Sequence, residues 1–518
     1  MFRTISIAGC LLSVGWAAAT GPVVTVTGGQ ARGSAWNGGA VFKGIPYAAP
    51  PVGGLRWHET MPVKPWTGVK DATEYGAPCA QIAAGWNDKL AATGSEDCLT
   101  VNVWTPEFPP RSPKPVLFWI HGGGNQGGSA MGAAGIEPPF DGSKLASRGV
   151  VVVTFNYRLG MLGFLAHPEL TAESKHHASG NYGLLDQVAA LRWVKNNIAK
   201  FGGDAAQVTI FGQSAGAHDI GLLLTSPLAK GLFVRAVAES GTVMIGGHLT
   251  PPLSDLEKAG VQLAKRMGVT GSGALAQMRK LSAAEVLKAA PPYTGGGSLR
   301  PEPNIDGYAV TRLPAGVFRA GQEMAVPLII GNNARERSIA GGPEAVTKAI
   351  ETYYGPLAAK AMEIYKAGAS GYPPHGDTGS QFQTDMQFRC GAVVIASWHG
   401  ARNPTWEYEF SQAYEPRGAV HSWELQYVFG VLSANADKPA DRSLSDQVQQ
   451  YWTNFAKTGN PNGGSLPNWP KVDAKRSYIE FTADGPVAKT GLRQAACALF
   501  QEKLEQDIAA ASGSSHGN

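Results

Sequence analysis

A serine stands between small residues in the segment 212–216, GQSAG, directly after an apolar run. The pattern G-x-S-x-G is typical of a sharp turn from a strand into a helix, which exposes the serine hydroxyl at the end of the strand. Small flanking residues are needed because larger side chains would collide with the neighbouring strands. The pattern therefore predicts that Ser214 is a nucleophile that attacks carbonyl carbon atoms.

A glycine run lies upstream of this serine, in the segment HGGG at 121–124, and it also follows an apolar run. Such a run can turn backbone N–H groups towards the negative charge that develops on a carbonyl oxygen, and losing one such donor costs about 3 to 4 kcal/mol of barrier. We predict that the N–H groups of Gly123, Gly124 and Ala215 form an oxyanion hole. The alternative is that both glycine turns serve packing alone.

A nucleophilic serine needs a base and an acid, and in α/β proteins with this turn the acid precedes the histidine along the chain. Glu336 follows the predicted strand VPLIIG and is the candidate acid. His421 follows the predicted strand WEYEF and a loop, from which an imidazole could reach the serine, and it is the candidate base. The alternative is that His399 is the base and His421 a structural histidine.

The segments that must position these residues alternate between strand and helix patterns. PVLFWIHGGG and VVVVTFNYRLG are continuous apolar runs, typical of strands buried on both faces. Residues 184–203 have apolar positions at helical spacing and end at a glycine pair. The alternation predicts an α/β fold with a mostly parallel central sheet. Helices predicted at 251–269 and 342–355 are candidates for a cap over the site.

The two ends of the chain differ in composition from the rest. Residues 1–19 combine a basic start, an apolar stretch and closely spaced alanines, which predicts a signal peptide, although Cys10 after IAG also fits a lipoprotein cleavage box. We expect a single domain over 20–505 and a disordered polar tail over 506–518. No later segment has the roughly 18 uninterrupted apolar residues of a membrane span. The mature protein is therefore expected to be secreted or periplasmic, without stable membrane insertion.

Composition excludes several classes of partner. The 518 residues are 43% hydrophobic and 16% charged, with a net charge of +4 and no run of basic residues. This composition is that of a globular protein without the electrostatic footprint of a nucleic-acid binder. Nothing in the sequence specifies an oligomeric state.

Four cysteines remain beyond the predicted signal peptide, and an even number in an exported chain favours two disulfides. Three pairings are possible, and proximity in sequence favours Cys79 with Cys98 and Cys390 with Cys497. The alternative is four buried thiols. None of the cysteines or histidines has metal-ligand spacing, so no metal site is predicted.

Several longer segments together resemble the type-B carboxylesterases, the branch of the α/β-hydrolases that includes the cholinesterases. The similarity extends from about residue 22 to 500 and rests on the segments FKGIPYAAPPVGGLRW, SEDCLTVNVWTP, WIHGGG, FNYRLGMLGFL, GNYGLLDQVAALRWVKNNIAKFGGD, GQSAGA and HSWELQYVFG. The resemblance implies an α/β-hydrolase fold, hydrolysis of small-molecule carboxylic esters and no cofactor. It also implies the nucleophile, base, acid, oxyanion hole and disulfide pairs given above, and a structural ion pair between Arg56 and Glu96.

Departures from the family pattern bear on the substrate. Gln213 stands where many relatives have a glutamate, which argues against a cationic substrate. Asn125 and Gln126 replace an aromatic residue after the glycine run, so we expect a polar wall there. Trp86 lies in the Cys79–Cys98 loop, where cholinesterases carry a choline-stacking tryptophan, but here it could simply pack.

Two arginines, Arg335 and Arg337, flank the candidate acid. They could hold a substrate carboxylate through bidentate hydrogen bonds, or they could contact solvent and structural partners. The sequence thus predicts a secreted serine carboxylesterase for bulky, carboxylate-bearing esters; bacterial relatives that it resembles include esterases that remove the tricarballylic arms of fumonisin. The alternatives are a lipase or general short-chain esterase, and a non-catalytic interaction protein of the same fold.

Overall fold

The computed structural model describes residues 21–132, 140–292, 297–367, 374–414 and 416–513. The predicted signal peptide at 1–19 lies outside these residues. Within the described ranges, none of the helices combines the length and the apolar character that crossing a membrane requires.

The described residues form fourteen strands. They are β1 Val23–Val26, β2 Gly29–Arg32, β3 Ser34–Trp36, β4 Gly39–Pro46, β5 Val69–Asp71, β6 Thr100–Thr105, β7 Lys114–Ile120, β8 Val151–Phe155, β9 Gly203–Gln213, β10 Arg235–Glu239, β11 Leu328–Asn333, β12 Thr405–Phe410, β13 Ser477–Thr482 and β14 Gly485–Thr490.

Eleven of these strands make one large sheet, in the order β14-β13-β12-β11-β10-β9-β7-β8-β6-β4-β3. The seven strands from β13 to β8 in this order run parallel, whereas the strands at both ends pair antiparallel. A separate sheet of three strands has the order β1-β2-β5. The prediction of a mostly parallel central sheet is confirmed.

Seventeen α-helices surround the sheet in the described ranges. They are α1 Asp88–Ala92, α2 Ser143–Ala146, α3 Gly160–Phe164, α4 Pro168–Glu173, α5 Tyr182–Asn197, α6 Ala215–Thr225, α7 Leu253–Arg266, α8 Ala274–Met278, α9 Ala283–Lys288, α10 Pro314–Ala320, α11 Gly342–Tyr354, α12 Ala358–Ala367, α13 Thr378–Thr384, α14 Cys390–Gly400, α15 Leu425–Val428, α16 Pro439–Thr458 and α17 Gln494–Gly513.

Alternate residues of each central strand face two separate hydrophobic cores. Phe118 and Ile120 of β7 pack in the core that α5, α6, α14 and α17 cover. Leu117 and Trp119 of the same strand pack in the core beneath α15 and α16. Because both faces of the strand are buried, its sequence is a continuous apolar run rather than an alternating pattern.

A third hydrophobic cluster lies beneath α7, α8 and α9 and includes Trp57, Met161 and Leu263. The two helices predicted as a cap form at α7 and α11. Residues before and after the α7–α9 layer line the cavity described below; they are Gly246, His248, Arg300, Glu302 and Pro303.

Two disulfides form, Cys79 with Cys98 and Cys390 with Cys497. The ion pair between Arg56 and Glu96 also forms, with 2.6 Å between Arg56 Nε and Glu96 Oε1. The disulfide Cys390–Cys497 joins α14 to α17, so the last helix is held against the sheet.

The final helix corrects the expected start of the tail. The sequence places a disordered segment from 506, but α17 continues to Gly513. Ile508 is buried in the main core, and this contact favours the helix over an unfolded end. Residues 514–518 lie outside the described part of the chain.

A buried carboxyl group on β10 makes stability depend on pH. Burial raises the pKa of Glu239 to about 8, although the Trp452 indole N–H, which donates to Glu239 Oε1 at 2.7 Å, acts in the opposite direction. An unfolded glutamate releases its proton at about pH 4.3. Between these two pH values the folded state holds a proton that the unfolded state has lost. The free energy of unfolding therefore declines as the pH rises from about 5 towards 8.

We expect Glu239→Gln, which mimics the neutral carboxyl, to remove this decline. The free energy of unfolding of the variant, relative to wild type, should rise by up to about 1.4 kcal/mol per pH unit between pH 5 and 8. Thermal unfolding at constant ionic strength measures the difference. The exposed Glu344, changed to Gln, is the control and should follow wild type. A pH-independent difference for Glu239→Gln would contradict the argument.

Candidate active site

The candidate residues meet at one edge of the sheet, because they follow four strands of its parallel part, and the carboxyl ends of parallel strands lie along the same edge. The glycine run follows β7 and Ser214 follows β9. Glu336 follows β11, and His421 follows β12 after a loop. In α/β sheets this edge is where ligands bind.

Ser214 occupies a strained turn between β9 and α6. Its backbone angles are φ 57° and ψ −121°, a region that few residues other than glycine adopt. The Ser214 N–H donates to Glu239 O on the neighbouring strand at 2.8 Å, and the His218 N–H donates to Ser214 O at 2.9 Å. These two bonds hold the turn, so the serine side chain is presented at the end of the strand.

Three side chains form a continuous hydrogen-bonded chain at this edge. Ser214 Oγ lies 2.8 Å from His421 Nε2. His421 Nδ1 lies 2.7 Å from Glu336 Oε2. Glu336 is buried, and the His421 imidazole is mostly buried with its Nε2 edge towards the serine. This is the spacing that proton transfer from a hydroxyl to an imidazole requires.

The Glu336 carboxylate is held from several sides. Its Oε1 accepts the Asn333 N–H at 2.7 Å, and its backbone O accepts the His421 N–H at 3.0 Å. The fully buried Arg389 donates to Ala334 O at 2.6 Å, which fixes the loop just before the acid. Phe388 packs on the His421 ring with 4.7 Å between ring centroids. The acid and the imidazole therefore have little freedom to separate.

A second carboxyl group lies buried near the acid. Burial raises the pKa of Glu424 well above its usual value, and repulsion from the nearby Glu336 and Glu239 carboxylates raises it further. Glu424 hydrogen-bonds to the Asn333 side-chain amide. Burial therefore favours the neutral form of Glu424, and Glu336 is the carboxyl group that contacts the imidazole.

The glycine run forms a tight loop against the serine. Gly123 and Gly124 have φ of 114° and 64°, which glycine adopts without strain. The Gly123 carbonyl accepts the N–H groups of Gln126 and Gly127, each at 3.0 Å. Among the hydrogen bonds between described residues, none uses the N–H of Gly123 or Gly124. The Ala215 N–H opens α6, where helix N–H groups have no partner within the helix.

The structure separates His421 from the alternative base. His399 lies in α14, where its Nδ1 is 2.6 Å from Glu323 Oε1 and its Nε2 is 2.8 Å from Val326 O. Both ring nitrogens are thus engaged with partners away from the serine. The alternative in which His399 contacts Ser214 is not what the structure forms.

Two residues expected in a polar wall are held by the protein itself. The Asn125 side-chain amide donates to Asp219 Oδ1 at 2.9 Å, and its Oδ1 accepts the Tyr157 hydroxyl at 3.0 Å. The Gln126 amide donates to Pro301 O at 2.6 Å. Both side chains are buried, and only Asn125 lines the cavity beside the serine.

Of the other predicted substrate-binding residues, Gln213, Trp86 and Arg337 line the cavity, and Arg335 does not. Gln213 Nε2 lies 3.4 Å from His421 Nε2, and Trp86 lines the cavity. Arg335 points away, and its Nη1 donates to Pro416 O at 2.9 Å. Arg337 is exposed and lines the cavity. The two arginines thus differ: Arg335 holds a loop, whereas Arg337 faces the space where a substrate would bind.

The cavity has two parts that meet at Ser214 and Arg337. We call the part of about 380 Å³ the apolar lobe. Its lining includes the catalytic candidates Ser214 and His421, and the apolar residues Ala84, Trp86, Phe140, Val420 and Leu425. We call the part of about 410 Å³ the polar lobe, and its lining includes His218, His248, Arg300, Glu302, Arg337 and Gln387.

Sequence reasoning missed Arg300 and His218. Arg300 donates from Nη2 to Gly124 O at 2.7 Å, across 176 positions of the chain. His218 lies one helical turn after the serine, and this i+4 spacing on α6 was a signal that could have placed it beside the site.

A parallel sheet with a strained serine turn and an acid and histidine at its carboxyl edge defines the α/β-hydrolase class. The profile described as "Carboxylesterase family" matches residues 20–500. The fumonisin B1 esterase of Sphingopyxis macrogoltabida is 36% identical over 85% of this chain and 83% of its own. The para-nitrobenzyl esterase of Bacillus subtilis (strain 168) is 36% identical over 87% of this chain and 92% of its own.

Solved structures agree with this assignment. A PNB esterase structure superposes with a TM-score of 0.80 at 33% identity, covering 93% of this chain and 99% of that one. The Geobacillus stearothermophilus carboxylesterase gives a TM-score of 0.80 at 32% identity, over 92% of this chain and 99% of that one. The chain belongs to the carboxylesterase family and has the α/β-hydrolase fold. It is a carboxylic ester hydrolase, as the resemblance implied.

The serine turn leaves no space for a side chain on Gly216. A Cβ atom there would lie 2.0 Å from Ile120 O and 3.0 Å from His121 O, both backbone atoms. We expect Gly216→Ala to destabilise the fold by about 1–3 kcal/mol or more, since the backbone of β7 would have to move. Thermal unfolding measures the loss. Gly54→Ala is the control, because a Cβ there meets no atom within 4 Å; equal stability of the two variants would contradict this packing argument.

Proposed function

We propose that the protein is a serine carboxylesterase in which Ser214 is the nucleophile, His421 the general base and Glu336 the residue that orients the imidazole. The observation that carries the proposal is the hydrogen-bonded chain from Ser214 Oγ through His421 to Glu336, with contacts of 2.8 and 2.7 Å. These three side chains lie in the wall of a cavity that is large enough for a small-molecule ester.

The reaction proceeds in two acyl-transfer steps. His421 Nε2 takes the Ser214 proton as the oxygen attacks the ester carbonyl, and the imidazolium then gives that proton to the leaving alcohol. Water attacks the acyl-serine with His421 again as base, and the free acid leaves. Glu336 stabilises the imidazolium in both steps.

The developing oxyanion would be held by the N–H groups of Gly123, Gly124 and Ala215. The first two N–H groups have no partner among the described residues, and the third opens a helix. These donors keep their positions when the carbonyl becomes tetrahedral, because the loop is held by the bonds to Gly123 O and Gly124 O.

We further propose that the enzyme is exported and acts on bulky esters that carry free carboxylates. Export rests on the signal-peptide pattern at 1–19. The substrate class is supported by the position of Arg337 in the cavity wall and by Gln213, which is neutral where relatives of the cholinesterase type have an acid. A relative of 36% identity is the fumonisin B1 esterase, and a tricarballylic ester of fumonisin is the named candidate substrate.

Replacing the nucleophile tests the proposal directly. We expect Ser214→Ala to lower kcat/KM for p-nitrophenyl esters by about 10⁴-fold or more, to near background, since no acyl-enzyme can form. An alkyl fluorophosphate should add once to the wild-type chain, by intact mass, and not to the variant. The exposed Ser147, changed to Ala, is the control. Equal turnover by wild type and Ser214→Ala would exclude this serine as the nucleophile.

The two neighbouring glutamates should differ in their effect on the rate. Glu336→Gln removes the charge that stabilises the imidazolium, and we expect kcat to fall by about 10²- to 10⁴-fold. Glu424→Gln mimics the neutral form that burial favours, at a carboxyl group that does not contact His421, and we expect less than about a tenfold change. Steady-state kinetics on p-nitrophenyl butyrate compares them. A larger loss for Glu424→Gln than for Glu336→Gln would reverse the assignment of the acid.

A further inference from the structure

The two lobes of the cavity differ in which part of an ester they can receive. The leaving alcohol must take its proton from His421 Nε2, so its oxygen must lie on the side of the imidazole. His421 lines the apolar lobe, together with Trp86 and Leu425. Gly124 and Ala215, two of the three proposed oxyanion donors, line the polar lobe instead, and His421 does not line it. The third donor, Gly123, lines the apolar lobe, so the oxyanion loop lies between the two lobes. The alcohol part therefore enters the apolar lobe, and the acid part enters the polar lobe.

The polar lobe carries a net positive charge. Arg300 and Arg337 both line it, against a single acidic residue, Glu302. The Glu302 carboxylate lies 3.9 Å from His248 Nε2, so its nearest basic side chain is that histidine rather than either arginine. The two guanidinium groups exceed the one carboxylate by one positive charge. A neutral acyl chain would not neutralise this charge, whereas an acyl chain with a carboxylate would.

Arg300 is fixed in this wall by a specific contact. Its Nη2 donates to Gly124 O at 2.7 Å, and the side chain is half-buried. This bond uses one of the five N–H groups of a guanidinium. The bond holds the Arg300 guanidinium beside the glycine loop, at the inner end of the lobe.

Arg337 lies at the boundary of the two lobes and is exposed. Its neighbour Arg335 donates to Pro416 O instead, outside the cavity lining. The backbone O of Arg337 accepts the Thr384 hydroxyl at 3.4 Å, which ties its main chain to α13. The anchored backbone and the exposed side chain suit a group that closes onto a substrate.

A third polar group faces the same space from α6. His218 lines the polar lobe and is almost buried, with its Nδ1 3.3 Å from Asp219 Oδ1. Asp219 is buried and also accepts the side-chain amides of Asn125 and Gln187, at 2.9 and 2.5 Å. The imidazole is therefore set in place by a rigid network and can offer a polar contact to the acyl group.

We infer that the polar lobe recognises an acyl group that carries a free carboxylate, and that Arg337 together with Arg300 pairs with it. This inference rests on the proposed function, because the position of the proposed general base, His421, decides which lobe receives the acid part of the ester. A tricarballylic ester already bears its carboxylates on the acid part; the inference adds the lobe that receives this part, and it assigns a binding role to Arg300 that the sequence did not suggest.

The test compares esters that differ only in one carboxylate. The acyl pair is p-nitrophenyl hydrogen adipate and p-nitrophenyl hexanoate, with p-nitrophenyl methyl adipate as the capped control. The alcohol pair is the butyrate ester of p-hydroxybenzoate and phenyl butyrate. Rates with Ser214→Ala are subtracted as background. The measured quantity is the ratio of kcat/KM within each pair, because this ratio does not depend on the fraction of active enzyme.

We expect wild type to prefer the adipate monoester over both neutral acyl esters by about tenfold or more, and to show no such preference within the alcohol pair. Arg337→Ala should lower the adipate preference by about tenfold, Arg337→Glu should lower it further, and Arg337→Lys should retain part of it. Arg300→Lys should reduce the preference as well, since lysine lacks the planar fork. Arg111→Ala removes one distant, exposed charge and should keep the wild-type ratio.

Three results would overturn the inference. They are a wild-type adipate preference near one, a preference that appears in the alcohol pair instead, and a preference that survives unchanged in Arg337→Glu. Each of these leaves the esterase mechanism intact if the neutral esters are still hydrolysed by wild type and not by Ser214→Ala. Loss of that difference would instead contradict the proposed function itself.

Discussion

The strained turn at Ser214 is the constraint on which the site depends. A residue with φ 57° and ψ −121° keeps this conformation only where its surroundings leave no other choice. Here the Ser214 N–H bonds to β10, and Gly212 and Gly216 lie so close to β7 that no side chain fits on either. The seven-stranded parallel core thus supplies the rigidity that positions one hydroxyl group.

Charge around this turn is managed by burial. Three carboxyl groups lie near one another at the end of the sheet, on Glu239, Glu336 and Glu424. Burial raises the pKa of Glu239 and Glu424, so each holds a proton where an exposed glutamate would not. The Glu336 carboxylate is the one that contacts the histidine. Burial thus limits the repulsion around the carboxyl group that contacts the imidazole.

The two lobes of the cavity differ in polarity. Its apolar lobe contains Trp86 and the imidazole edge, and its polar lobe contains two arginines. Arg300 joins the two functions, since it contacts the glycine loop and also lines the polar lobe. The proposed oxyanion loop and the proposed acyl site are therefore connected through one side chain.

The sequence by itself determined the elements that depend on neighbours along the chain. The serine turn, the glycine run and the apolar strands are local patterns, because turn sterics and two-sided burial act on consecutive residues. The parallel sheet follows from their alternation, and the resemblance to the carboxylesterases, the fold and the ester hydrolase activity are confirmed. The start of the C-terminal tail was misplaced, since the contact of Ile508 with the core forms only in the folded chain.

Only the tertiary structure decided which distant side chains meet. His421 and His399 were both candidates for the base, but their partners are Ser214 and Glu323, each far away along the chain. Arg335 and Arg337 are two residues apart, and only the packing of the loop directs one outward into the cavity. The pKa of the buried Glu424 and the contact of Arg300 with Gly124 likewise depend on groups that are distant along the chain. Such contacts are set by distance and burial in three dimensions, which no local pattern encodes.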